Sequence, residues 1–223
     1  SYKNEKGFLK VIELLPESEK EGDFTDCFTN AISSNSLEIC KYLIDQKLFT
    51  NFEMFLTNLQ DLSKTNLEII SLIINSCDQQ LKESLLQALF YPAISNHNFE
   101  LVEYLLKENI IYDDSLINAV SSNDYEIVEL ILKYKNDSDF INQGSYNGTP
   151  LIIAVKNNNY FAVKKLLSMP SINPNLYDRD DKTALMRAVE NLNFSIIHVF
   201  LSYYNDKIFD YRSQLDFLLN RLS

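Results

Sequence analysis

The sequence predicts an all-α fold, a helical-repeat solenoid of about six helix-turn-helix units with at least one short β-hairpin finger. Three observations carry this. A 14-residue pattern that begins with Ala and ends in an apolar helical run recurs along the 223-residue chain. Its copies stand 26 to 35 residues apart, a spacing typical of repeat arrays. Each copy passes from one helical run to the next through a turn rich in Asn, in a chain that holds only 4 Gly.

The pattern is clearest in AVKNNNYFAVKKLL, Ala154 to Leu167. Three asparagines interrupt two apolar runs. Asn tolerates the left-handed conformation that closes a helix and is a good N-cap for the next. Asn158 is therefore expected to stop one helix and Asn159 to start another. Related copies begin at Ala31, Ala93, Ala119 and Ala188, and a weaker one at Thr65 lacks the Ala. Aligned on the first apolar residue of the second helix, the anchors are Leu37, Leu67, Phe99, Tyr125, Tyr160 and Phe194, at spacings of 30, 32, 26, 35 and 34 residues. The preceding residues, Ser36, Asn66, Asn98, Asp124, Asn159 and Asn193, are all N-cap types. One position earlier stand Asn35, Thr65, His97, Asn123, Asn158 and Leu192, in the left-handed slot. Apolar residues at Ile127, Val128, Ile131 and Leu132 have helical, not strand, periodicity. The recurrent Ala suits a close approach of two helix backbones. The aromatic anchors Phe99, Tyr125, Tyr160 and Phe194 are expected in the core.

The last two copies identify a family. Thr149-Pro150-Leu151 followed by Ala154, and Thr183-Ala184-Leu185 followed by Ala188, resemble the Thr-Pro-Leu-His-x-Ala opening of ankyrin repeats. Physically, Thr is an N-cap, and Pro at the first helical position loses no hydrogen bond. INPNLYDRDDKTAL resembles the ankyrin β-hairpin finger, with Asn175 and Asp178 in its Asn and Asp slots. The resemblance is clearest over residues 142–201. Both copies depart from it by lacking the motif His; Ile152 stands in the first His slot. Only Lys107 to Asp113 fit between helices at the 26-residue spacing, too few for a full finger. Pro92 is expected to kink or shorten its helix. One domain, 1–223, is expected, with units at roughly 22–50, 51–79, 80–112, 113–142, 143–176 and 177–209. Leu215, Leu218, Leu219 and Leu222 share a stripe in a predicted C-terminal helix, 210–223, either a cap on the last unit or a dimer surface.

Composition narrows the function. The net charge of −11 argues against a nucleic-acid partner, which needs clustered Lys and Arg, and favours a basic protein surface. Glu17 to Asp26, the densest acidic segment, is expected to be a solvated loop. No apolar run approaches a membrane span. Cys27, Cys40 and Cys77 lack metal-site spacing, and so sparse a set favours reduced thiols and a cytoplasmic or other intracellular setting. His97 and His198 are the only histidines, and neither forms a ligand or nucleophile pattern. The acidic run Asp178 to Asp181 lacks the EF-hand spacing and is expected at a finger tip. No catalytic residue, cofactor or metal is expected.

Function is then expected in a surface. The resemblance implies a non-enzymatic module that binds another protein on its concave face, through first helices and finger tips. By position these are Asn118, Ser121 and Ser122; Ile153, Lys156 and Asn157; and Arg187, Glu190 and Asn191, with Tyr146, Tyr177 and Arg179 on the fingers. A monomer is expected. The alternative is a scaffold that self-associates through the C-terminal helix. Ser1 would be an internal start if the chain is a fragment of a larger protein.

Overall fold

In the first half of the chain an amphipathic run such as Leu67–Ser76 buries Ile69, Ile70, Ile73 and Ile74, the i, i+1, i+4, i+5 face that a helix turns inward. Runs of this kind build the whole architecture. A computed structural model describes residues 2–16 and 22–207, with fourteen α-helices and no strand among the described residues. The predicted helix 210–223 and residues 17–21 of the acidic segment lie outside them. The chain divides into two compact units, Ser1–Leu105 and Leu106–Ser223.

The first unit holds α1 (Tyr2–Glu13), α2 (Thr25–Ser33), α3 (Leu37–Asp45), a 3₁₀ turn (Phe52–Leu56), α4 (Leu59–Leu62), α5 (Leu67–Ser76), α6 (Gln79–Ser95) and the start of α7 (Phe99–Lys107). Phe28, Phe49, Phe52 and Phe55 form one aromatic cluster. Phe28 stacks on Phe49 with centroids 4.0 Å apart. The expectation for Pro92 is corrected in part: α6 runs 17 residues straight through it and is not shortened. Leu85, Leu86, Leu89 and Phe90 before Pro92, and Ala93 and Ile94 after it, are buried on one continuous face. Burying each large side chain stabilises by about 1.5–3 kcal/mol, enough together to outweigh the roughly 3 kcal/mol cost of an internal proline.

The second unit is more regular. Its helices are α8 (Ser115–Ser121), α9 (Tyr125–Tyr134), α10 (Ser138–Asn142), α11 (Pro150–Lys156), α12 (Tyr160–Leu167), α13 (Ala184–Glu190) and α14 (Phe194–Lys207). The first helices α8, α11 and α13 lie side by side, and each packs on its own second helix, α9, α12 or α14. Ala119, Ala154 and Ala188 are fully buried, as a close backbone approach requires.

The turns follow the sequence closely. Asn35, His97, Asn123, Asn158 and Leu192 all have positive φ, between 52° and 60°. In four of these turns the N-cap N–H donates to the carbonyl of the recurrent alanine: Ser36 to Ala31, Asn98 to Ala93, Asn159 to Ala154 and Asn193 to Ala188. This is the bond that closes a helix over a left-handed residue. Thr65 is the exception. It follows α4, a single turn of helix, and its N–H bonds to Leu62 at 3.0 Å without positive φ. Asn66, Asn98, Asp124, Asn159 and Asn193 each accept a backbone N–H at the start of their helix. Ser36 does not cap α3. Its hydroxyl donates to Glu5 Oε1 at 2.7 Å and so ties α1 to that turn.

One expectation fails across the copies. Phe99, Tyr160 and Phe194 are 38%, 37% and 72% exposed, and Tyr125 is half-buried. They are not core. The inward face begins two residues later, at Leu101, Ile127, Ala162 and Ile196. The first residue of each second helix is turned away from it.

Candidate interaction surface

Two loops of the second unit are built to hold side chains outward. In the first, Ser145 and Gly148 exchange backbone hydrogen bonds of 3.0 Å each, an isolated antiparallel bridge that closes a turn over Tyr146 and Asn147. Gly148 sits at φ +115°, where a Cβ would meet Ile152 Cγ2 at 2.9 Å and Asp178 Cβ at 3.3 Å. Only glycine allows both that conformation and that contact. Tyr146, at the tip, is 75% exposed.

The second loop, between α12 and α13, turns on Asp178. Its Oδ1 accepts the backbone N–H groups of Asp180 (3.0 Å) and Lys182 (3.2 Å). Its Oδ2 meets Lys156 Nζ at 2.8 Å and Arg187 NH2 at 2.7 Å. The Asp178 side chain is wholly buried. Burial by itself would raise its pKa, but the hydrogen bonds from Lys156, Arg187 and the two backbone N–H groups prevail and hold the carboxyl well below the usual carboxylate range. Arg187 also reaches Asp180 and Glu190, and Lys182 closes the cluster on Glu190. The three cations and three carboxylates balance, which is how charge can be taken from water at a helix edge. From this base Tyr177 projects, 62% exposed. The Arg179 guanidinium lies over the Tyr146 ring, 4.6 Å from its centroid, and so joins the two loops.

The residues expected in the surface therefore divide. Tyr146 and Arg179 are exposed and in contact, Tyr177 is exposed on the second loop, and Ser121, Asn157 and Asn191 are exposed at helix ends. Asn118 and Ser122 are half-buried and bonded to their own helix, at Asp114 and Ala119 carbonyls. Lys156, Arg187 and Glu190 are not free for a partner, because the cluster around Asp178 holds them. Ile153, 7% exposed, belongs to the core: α11 is buried along its whole length from Pro150 to Val155, which leaves no outer face there. Sequence reading had the Asp178 slot but missed what it anchors, since Lys156 lies 22 residues away and only folding joins them. Cys40 is buried, and burial pushes its thiol up to about 12. No group of residues that could hold a metal ion occurs among the described residues, and no helix among them is long and apolar enough to cross a membrane.

Residues 116–210 match the family model for ankyrin repeats, in three copies. Among solved structures, the chain is similar to the ankyrin repeat domain of Bcl-3, a member of the IkappaB protein family. The identity is 18% and the TM-score 0.52, over 79% of this chain and 85% of that one. No curated protein matches it.

Proposed function

We propose, from the premise that this chain belongs to the ankyrin-repeat family, that it is a non-enzymatic module that binds another protein through the face made by its first helices and the two loops before them. The supporting observation is the contact of Arg179 with Tyr146, which joins the two loops beside the exposed Tyr177, above a charge cluster that fixes the second loop. Tyr and Arg dominate binding hot spots, and a rigid tip loses little entropy on binding. Ser121, Asn157 and Asn191 extend the face, and the two loops serve as its fingers in an array of about six units. The partner has a basic surface, which a chain of charge −11 attracts. Of 31 acidic residues 16 precede Leu106, against 8 of 20 basic ones, so the first unit supplies most of that attraction and the second the anchors. The setting is intracellular and the chain monomeric.

The test is affinity capture from native extract with mass spectrometry, comparing the wild type with a Tyr146→Ala, Tyr177→Ala, Arg179→Ala variant. Loss of a stoichiometric partner in the variant supports the face. Capture of the same partner by both, or substrate turnover by the purified chain, overturns it. Loss of a hot-spot aromatic costs about 2 kcal/mol or more, roughly thirtyfold in affinity.

A further inference from the structure

Two second helices of the unit Leu106–Ser223, α12 and α14, carry exposed aromatic side chains where a solvated face is ordinarily polar. On α12 the inward residues are Ala162, Val163, Leu166 and Leu167, yet Phe161, on the far side of the helix, is 63% exposed. Its ring lies 5.6 Å from that of Tyr125 and 5.7 Å from that of Tyr160. Beyond Tyr160 an open groove of about 750 Å³ runs to Phe194, which is 72% exposed. Its remaining lining is Asn158, Asn193, Ser195 and His198. Asn193 Nδ2 donates to Asn158 Oδ1 at 3.0 Å, so the two turns that flank the groove are tied together. Single exposed apolar residues are ordinary, but adjoining ones around a groove mark an interaction site. The core does not explain them, since other positions of the same helices fill it.

Charge and area select the occupant. Among the described residues no carboxylate lines the groove. Helix α12 contains no acidic residue, and α14 contains none before Asp206. Lys164 stands one turn beyond Tyr160 and His198 one turn beyond Phe194, each on the same side as its aromatic. Lys165 is bound to Glu129 at 2.9 Å, whereas Lys164 is exposed and makes no ion pair among the described residues. The exposed parts of Tyr160, Phe161 and Phe194 offer of order 400 Å² of largely apolar surface, about half of what each side of a stable protein pair buries. That is too little for a second copy and enough for a short segment.

We propose that this groove docks a short acidic segment of another protein, with an aromatic or leucine side chain seated between Tyr160 and Phe194 and carboxylates directed to Lys164 and His198. The site is separate from the finger face. Finger loops precede the first helices and the groove follows them, so the seven residues of α11 set the two apart by about 10 Å along its axis.

The test uses the full chain and three short fluorescein-labelled peptides in anisotropy titrations. One is rich in Glu with one Phe and one Leu, the second replaces Glu with Lys, and the third replaces Phe and Leu with Ala. Only the first is expected to bind. Tyr160→Ser with Phe194→Ser should weaken it about tenfold or more, Lys164→Glu about threefold to tenfold, and Tyr177→Ala not at all. These positions are exposed, and circular dichroism checks that the variants remain folded. The Lys164→Glu variant keeps the test sharp if the double change disturbs α12. Equal binding of the basic peptide, no binding of the acidic one, or binding unchanged by both groove variants overturns the proposal. So does a dimer in light scattering that the groove variants split. Loss through Tyr177→Ala would instead place the peptide on the finger face.

Discussion

The two units share one kind of turn and almost nothing else. In Ser1–Leu105 the turns at Asn35 and His97 have the same left-handed residue and the same bond to an alanine carbonyl as those at Asn158 and Leu192 in Leu106–Ser223. Around them the first unit uses a one-turn helix, a 17-residue helix through Pro92 and a knot of four phenylalanines. The second uses Thr-capped seven-residue helices and a charged anchor beneath its loop. The turn, Thr65 apart, is thus what the copies share, and each unit solves the space between turns with its own chemistry. One solution is dispersion and apolar burial, which is indifferent to pH. The other is ion pairing, which is not.

The largest effect should come from the apolar solution. Phe28→Ala removes a fully buried ring stacked on Phe49 and should destabilise by about 3–5 kcal/mol. Asp178→Ala should follow at about 3 kcal/mol, the low end for breaking a buried pair, because Lys156 and Arg187 remain partly in water. Denaturant melts followed by tryptophan probes placed in each unit would sharpen the comparison. Independent units give two transitions, one moved by each variant. A single domain over 1–223 gives one transition that both variants move.

Asp178 also gives its unit a pH signature. Its folded pKa is depressed, so as pH falls the unfolded chain takes up the proton first. Its stabilisation is complete above the unfolded carboxylate value of about 3.9 and is lost as pH falls below it. The stability difference between the wild type and Asp178→Asn should stay constant from pH 7 to about 5 and shrink below about 4. A difference that grows on acidification would refute the anchor. Phe28→Ala should show no such trend.

The smallest effect tests what the units share. Asn123→Ala should cost about 1 kcal/mol, because alanine resists φ of 60°, while Asn123→Gly should be neutral or stabilising. Equal melts for the two would remove the left-handed turn from the account.

What the sequence disclosed was local. Asn158 and Asn159 announce a helix stop and a helix start because each acts on its own backbone, and five of the six left-handed slots and five of the six caps are where the pattern puts them. Thr65 failed because a left-handed closure needs a helix of some length behind it, and α4 is one turn. Ser36 failed because Glu5, 31 residues earlier, takes its hydroxyl. The surface was less legible. Tyr146, Tyr177 and Arg179 could be placed on loops, but the pairing of Lys156 and Arg187 with Asp178 depends on three segments meeting. The aromatic anchors were misread for a different reason. An apolar residue that opens a helix looks like core, and only the angular position of Tyr160 against Ala162, Val163, Leu166 and Leu167 reveals an outward face.

The amides that pass between neighbouring turns carry a consequence for ancestry. Asn193 reaches Asn158, and Asn98 reaches the Ser63 carbonyl, each 35 residues back. Asn142 reaches 29 and 31 residues forward, to Ser171 and Asn173. A copy of the gene segment for one such period, inserted in frame, would bring both halves of every junction with it. Such a chain can lengthen by tandem duplication and reuse the same kind of contact at each new junction.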